Sequence, residues 1–417
     1  MFNCGSAGLP PALQVRLLPP SAGPAAWRLL CARALRAFAD GFVSVLLPVY
    51  LLALGHDAVA VGVLATATLL GSAALTLAVG FGAHRRDRRL LLLAAAGLMI
   101  LTGLGFAALT EFWPLLLVGF VGTLNPSSGD VSVFLPLEQA VLAGQVDGKD
   151  RTALFARYTV AAQITGALGA LAAALPALAT DHFAVPELEA QRAMFLLYAA
   201  LGAAAGLLYR GLPPLRPTTH APEAALGPSR DTVYRLAGLF SLDSFGGGFV
   251  VQSLLALWLF QRFHMELPTA AALFFWSNLL MAASQMLAVP LSKRIGLVNT
   301  MVLTHLPANV CLIAAAFAPS VEVAVVLLLV RAALSQMDVP TRTSYVMAVV
   351  TPAERPAAAS ITAVPRSLAA AVGPVLAGGL LAATSFGWPL VIAGGAKIVY
   401  DLLLLRGFRH HKPPEEH

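Results

Sequence analysis

The sequence predicts an all-α membrane protein: twelve transmembrane helices arranged as two pseudo-symmetric six-helix bundles. Three observations predict it. The composition is too apolar for a water-soluble particle. Apolar runs of spanning length alternate with loops of which every second one is basic. Three landmarks of the first half recur in order in the second.

The composition comes first. Of 417 residues, 58% are hydrophobic and 12% charged, against about 25% charged residues in an ordinary soluble domain. The mean hydropathy is +0.78. Such a chain lacks the polar surface to coat a soluble particle, and lipid is its natural solvent. The net charge of +6 does not point to nucleic acid, because the basic residues lie in short clusters between apolar stretches, as in cytoplasmic loops. Cys4, Cys31 and Cys311 are too scattered for a disulfide framework or a metal site. No metal and no cofactor is expected. The abundant alanine and the dominance of arginine over lysine suggest a GC-rich bacterial genome, so the bacterial cytoplasmic (inner) membrane is the expected location.

The runs come second. A helix of about 20 apolar residues crosses a bilayer. Such runs occur at 29–54, 58–82, 89–109, 112–133, 153–178, 191–210, 234–260, 268–291, 297–317, 320–341, 355–380 and 385–406. Residues 1–28, interrupted by prolines, read as a cytoplasmic tail. Residues 29–210 form the first bundle, the proline-rich 211–233 a cytoplasmic linker, 234–406 the second bundle, and 407–417 a second tail. Arginine and lysine crowd the tails, the linker and alternate loops, while the opposite side offers only Arg192 and Arg262; this places both termini in the cytoplasm. Trp113, Trp258 and Trp388 fall near the expected outer ends, where an aromatic belt belongs.

The repeat comes third. Asp40 lies in the first span and Asp243 in the seventh, 203 residues apart. Arg85 follows the second span and Arg294 the eighth, 209 apart. Arg151 follows the fourth span and Arg355 the tenth, 204 apart. Duplicated halves are a frequent device of secondary transporters, whose bundles rock about a central site.

With these residues in place, the chain resembles the major facilitator superfamily over roughly residues 29–406. The loop from Gly80 to Arg89 is similar to that family's loop signature: Gly80, Arg85, Arg88 and Arg89 fit, His84 replaces an expected aspartate, and Asp87 takes the place of a second glycine. The resemblance implies that this loop latches the cytoplasmic helix ends. The stretch Pro352-Ala353-Glu354-Arg355 is similar to the loop after the tenth helix of many members. The glycine-proline motif of the family's exporters is degraded in helix five to Thr165-Gly166-Ala167-Leu168-Gly169-Ala170, which glycine-mediated helix packing accounts for better.

Charges at bilayer depth cost at least about 2.5–3.5 kcal/mol each and need a partner, a wet cavity or a function. Asp40 sits near the midplane, with Arg36 one turn away at ion-pair spacing. Asp243 has no basic residue within a turn and is followed by Gly246-Gly247-Gly248. These two acids, with Arg366, Asp130 and Arg36, are the candidates for substrate or proton coupling, and Asp40 and Asp243 are expected to share one watery chamber. Asn125-Pro126-Ser127-Ser128-Gly129-Asp130 should break a helix and line a polar cavity. Arg85, Arg88, Arg89, Arg294, Asp338 and Arg342 are candidates for cytoplasmic gating, Arg331 joining Asp338 and Arg342 in a salt-bridge network at the mouth. Lys397 and Asp401, four residues apart, should neutralise each other, and His305 should be a packed, hydrogen-bonded residue.

The expected function is secondary active transport by alternating access: proton-coupled efflux of small organic compounds. The partners are the substrate, protons and the bilayer, with no nucleic acid and a monomeric chain. No GxxxxGK[ST] loop is present for ATP, and no HExxH or GxSxG motif for an enzyme. An importer or facilitator of an anionic nutrient, and a transport-inactive sensor, are the alternatives.

Overall fold

The computed structural model describes residues 18, 22–82, 87–126, 133–142, 145, 151–213, 227, 229–350 and 355–408. Those residues form helices and no strand, as a lipid solvent demands: a helix satisfies its own backbone where no water is available. The first half contains α1 (Pro24–Ala53), α2 (Ala58–Gly82), α3 (Arg88–Ala108), α4 (Phe112–Val121), α5 (Phe134–Leu142), α6 (Arg151–Ala172), α7 (Leu175–Phe183) and α8 (Glu187–Arg210). The second contains α9 (Arg230–Gly248), α10 (Gln252–Phe263), α11 (Leu267–Ile295), α12 (Leu297–Ala316), α13 (Val321–Leu334), α14 (Asp338–Val349), α15 (Arg355–Ala383) and α16 (Trp388–Phe408).

Eleven stretches among the described residues are long and apolar enough to span a membrane. The fourth expected span is the remaining one. It is not the continuous helix of 112–133: α4 stops at Val121 before Gly122, residues 122–126 are not helical, and α5 covers Phe134–Leu142. The seventh and tenth spans are also interrupted, between α9 and α10 and between α13 and α14. The fourth and tenth spans correspond in the repeat, and both break.

Helix packing reproduces the duplication. In the first half α1 packs on α6 and α8, α3 on α8, and α2 on α4; in the second α9 packs on α15 and α16, α12 on α16, and α11 on α13. Each pairing maps onto its counterpart six spans later. The halves meet chiefly through α2 against α15 and α6 against α11, which the same two-fold relation exchanges. At several crossings only glycine fits, and two of them show it. A Cβ on Gly169 would lie 2.0 Å from the Phe38 carbonyl oxygen, and one on Gly62 would lie 2.4 Å from that of Pro374. The glycines of helix five thus bring α6 against α1 by close packing.

The loops place the helix ends. His56 bonds the Thr110 carbonyl at 2.9 Å, joining the α1–α2 corner to the α3–α4 corner, and Gly23 N–H donates to Gln145 O at 3.2 Å on the side that carries the tails. Leu101, Leu117, Leu207 and Leu303 stand outward, an apolar surface suited to acyl chains. One expectation fails here. Trp258 is 0% exposed and packs edge-on to Phe263 at 5.5 Å, so it belongs to the core and not to an aromatic belt. Burial of the whole first turns of α10 explains the difference: this segment lies inside the bundle and meets no interface.

Candidate functional site

Between the two halves lies a cavity of about 300 Å³. The first half contributes Arg33, Ala37 and Asp40 from α1 and Thr159, Gln163 and Gly166 from α6. The second contributes Gly247 and Gln252 around the α9–α10 break, Asn278 and Gln285 from α11, and Arg331 and Gln336 from the tenth span. At 1.5 Å per residue, Asp40 is roughly 20 Å from either end of α1 and Arg331 roughly 15 Å from the start of α13, so the site is near mid-depth. A polar chamber at this depth is where a broken backbone is tolerated, and the residues around the breaks show how. Ser253 N–H donates to Pro126 O at 3.1 Å, across the halves. Tyr198 hydroxyl donates to Thr123 O at 3.1 Å, and Thr123 N–H donates to Thr102 Oγ1 at 3.3 Å. Thr341 hydroxyl reaches the carbonyls of Met337 and Asp338 at the tenth-span break.

Asp40 is 8% exposed and has no hydrogen-bond partner among the described residues, although Arg33 and Arg36 lie close enough to act on its charge. Arg36 does not close on Asp40 as its spacing suggested. Its guanidinium goes to Glu138 on α5, with its Nε donating to the Tyr209 hydroxyl at 3.1 Å and its plane 4.0 Å from the Phe134 ring centroid. Glu138 is fully buried and also accepts from the hydroxyls of Tyr158 and Tyr209. A carboxylate filled by three donors outcompetes one further turn along α1, because each buried donor must find an acceptor.

Asp243 is not among the residues lining the cavity. Lys397 Nζ donates to it at 2.6 Å, Arg342 lies 3.1 Å away and His305 3.7 Å. Arg342 also pairs with Asp338 one turn before it and stacks near Phe240 and Tyr400. The expected Lys397–Asp401 pair is therefore absent: Lys397 serves Asp243, while Asp401 holds His305 at 2.9 Å and Asn309 at 3.1 Å. His305 is hydrogen-bonded as expected. Arg331 leaves the network foreseen for it and faces the cavity, while Asp338 and Arg342 lie beyond the break on α14. Arg366 Nε donates to the Ser244 hydroxyl at 3.2 Å, beside the Asp243 cluster and outside the cavity lining.

These contacts revise the register of the repeat. Arg36 and Glu138 tie the first span to the fourth; Asp243 and Arg342 tie the seventh to the tenth. Arg36 to Asp243 is 207 residues and Glu138 to Arg342 is 204. The same tie is present in both halves with its signs exchanged. On that register the partner of Asp40 is Gly247, which also lines the cavity, and not Asp243. The two acids therefore do not share a chamber.

Of the gating candidates, Arg89 donates to the Arg210 carbonyl at 2.7 Å, joining the start of α3 to the end of α8. Arg88 opens α3, and Arg294 is in the last, exposed turn of α11. Arg85 and Asp130 lie outside the described residues. Sequence reading missed Glu138, which lies just beyond the expected fourth span of 112–133. The signal was present: a lone acid inside the apolar stretch Phe134-Leu142. It also missed the amide chain in which Gln163 donates to Gln285 at 2.7 Å and Gln285 to Gln336 at 3.4 Å, spanning the two halves along the cavity wall. Neutral amides give no charge signal in a sequence. Among the described residues no group of His, Cys, Asp and Glu has the arrangement of a metal site.

The comparisons agree with this architecture. An uncharacterised membrane protein of Saccharomyces cerevisiae is 24% identical over 407 residues, covering 89% of this chain and 91% of that protein. A crystal structure of a mutant of the nucleoside transporter NupG superposes with a TM-score of 0.74 at 14% identity, covering 92% of this chain and 99% of that one. An inward-facing, unoccupied bacterial homologue of the human lysosomal transporter Spinster gives 0.69 at 14% identity, covering 93% and 96%. The sequence matches the Major Facilitator Superfamily over residues 29–244 and 236–417. With duplicated six-span halves, a polar cavity between them and this match over nearly the whole chain, the protein belongs to the Major Facilitator Superfamily.

Proposed function

We propose that the protein is a secondary transporter that moves a small organic molecule by alternating access through the central cavity, with Asp40 as the proton-coupling carboxylate. One observation carries this reading: Asp40 faces a polar chamber at mid-depth, between two separable bundles, without a hydrogen bond that would fix its charge. Each bundle is held by its own buried charges. Among the described residues, Gln163–Gln285, Ser253–Pro126 and Val375–Thr66 cross between the bundles, and each is neutral and single. Such contacts exchange for water at low cost when the bundles rock, whereas the ion pairs within each half resist disruption. The carrier is reversible, and export or import follows from the gradients imposed. The basic tails and loops favour a cytoplasmic location for both termini, in a bacterial inner membrane.

The test is flux in proteoliposomes containing the full chain, screened over small organic compounds with an imposed pH gradient. The wild type should accumulate substrate in response to the gradient. Asp40→Asn should retain exchange without a gradient and lose gradient-driven accumulation. Wild-type flux indifferent to the gradient, or Asp40→Asn that still accumulates, rejects the assignment.

A further inference from the structure

The cavity holds three charged side chains, and they do not balance. Arg33 and Asp40 are both on α1 and act on one another across the same wall. Arg331 stands on α13 in the other half. Among the described residues its side chain has no ion pair, hydrogen bond or ring contact, and its Nε is shut off from solvent without a partner. A guanidinium does not lose its proton in a protein, so the usual escape of a buried charge, neutralisation, is closed to it. Its place in the last turn of α13 gives favourable interaction with the helix dipole. A dipole, however, does not fill five fixed N–H donors. The nearby amides offer little either, because Gln285 and Gln336 are engaged with each other and with Gln163 and Met281.

We propose that the transported substrate is a small organic anion, and that its oxyanion group docks on Arg331. This rests on the cavity being the transport site. The planar fork of arginine matches the two oxygens of a carboxylate or phosphate, the strongest type of hydrogen-bonded pair available to it. The wall opposite carries Asp40 with Arg33 beside it, so the charged residues lining the site leave one positive charge in excess. A bound monoanion restores the balance. The volume of about 300 Å³ is at the low end for ligand pockets. It suits a compact metabolite and excludes a lipid or a peptide. Thr159, Ser277 and Asn278 supply hydrogen-bonding groups for the rest of the molecule.

The experiment uses full-length protein in detergent and a panel of aliphatic and aromatic carboxylates and phosphate monoesters. Each is measured beside its neutral amide or alcohol and its amine, by thermal shift and then by flux in proteoliposomes. Anions should stabilise the wild type and their neutral and cationic counterparts should not; the carboxylate and phosphate arms separate the two oxyanions. Arg331→Gln should weaken anion binding by about tenfold to a hundredfold. Arg331→Lys, which keeps the charge and loses the fork, should fall between and guards against a folding defect in the first variant. Neutral or cationic members binding as well as anions, no anion binding at all, or binding unchanged in Arg331→Gln overturns the anion site. If neutral compounds are transported and Arg331→Gln is without effect, the anion class fails and the transporter reading survives. If anions bind through Arg331 and none crosses, the site stands and the transporter reading fails.

Discussion

Replacing Glu138 by glutamine should destabilise the protein severely, although the change is nearly isosteric. Glu138 is 0% exposed and Arg36 is 2% exposed. Removing the carboxylate charge leaves a guanidinium buried without its counter-ion, a change that costs about 3–5 kcal/mol. Glutamine still accepts one or two of the three hydrogen bonds, so its loss should be near the lower end. Glu138→Ala also orphans the hydroxyls of Tyr158 and Tyr209, each of which adds about 1–3 kcal/mol. The control is Arg36→Met with Glu138→Met, which removes both charges. It should recover most of the loss, because replacing a buried pair by apolar side chains is often neutral. The assay is thermal unfolding in detergent, in which Glu138→Gln should lower the apparent Tm by on the order of 5 °C. A double-mutant cycle then gives the coupling, expected to exceed about 2 kcal/mol. If Glu138→Gln costs less than about 1 kcal/mol, or the double variant is as unstable as the single ones, the pair does not tie the first span to the fourth as argued.

The mirrored tie should behave alike: Asp243→Asn leaves Lys397 and Arg342 without a shared carboxylate and should cost about 3–5 kcal/mol in the same assay. Asp40→Asn should by contrast change the apparent Tm little while abolishing pH-driven accumulation, and equal losses of stability in the two variants would contradict the placement of Asp40 in a cavity and Asp243 in a core. Gly169→Ala puts a Cβ 2.0 Å from the Phe38 carbonyl oxygen, and overpacking of this kind costs about 1–3 kcal/mol, read as a lower Tm. Gln285→Leu removes the central member of the amide chain between the halves and should alter the exchange rate in proteoliposomes more than the Tm.

The sequence alone determined the solvent, the number of spans and the duplication. These follow from quantities summed along the chain: the length of apolar runs, the loop charges and the spacing of landmarks. They are insensitive to an error of one helical turn. The tertiary structure decided the pairings of buried charges, Asp338–Arg342 on α14 excepted, and there one turn is everything. Arg36 and Asp40 are neighbours in sequence, yet α1 presents one to Glu138 on α5 and the other to the cavity. Lys397 and Asp401 likewise turn to different partners on α9 and α12. A buried charge takes the partner that packing brings within about 3 Å with the fewest orphaned donors. For Arg36, Lys397 and Asp401 that partner lies on another helix, at a distance along the chain that no local pattern encodes. Arg331 shows the same limit from the other side, since only the fold shows that none of the described residues pairs with its side chain.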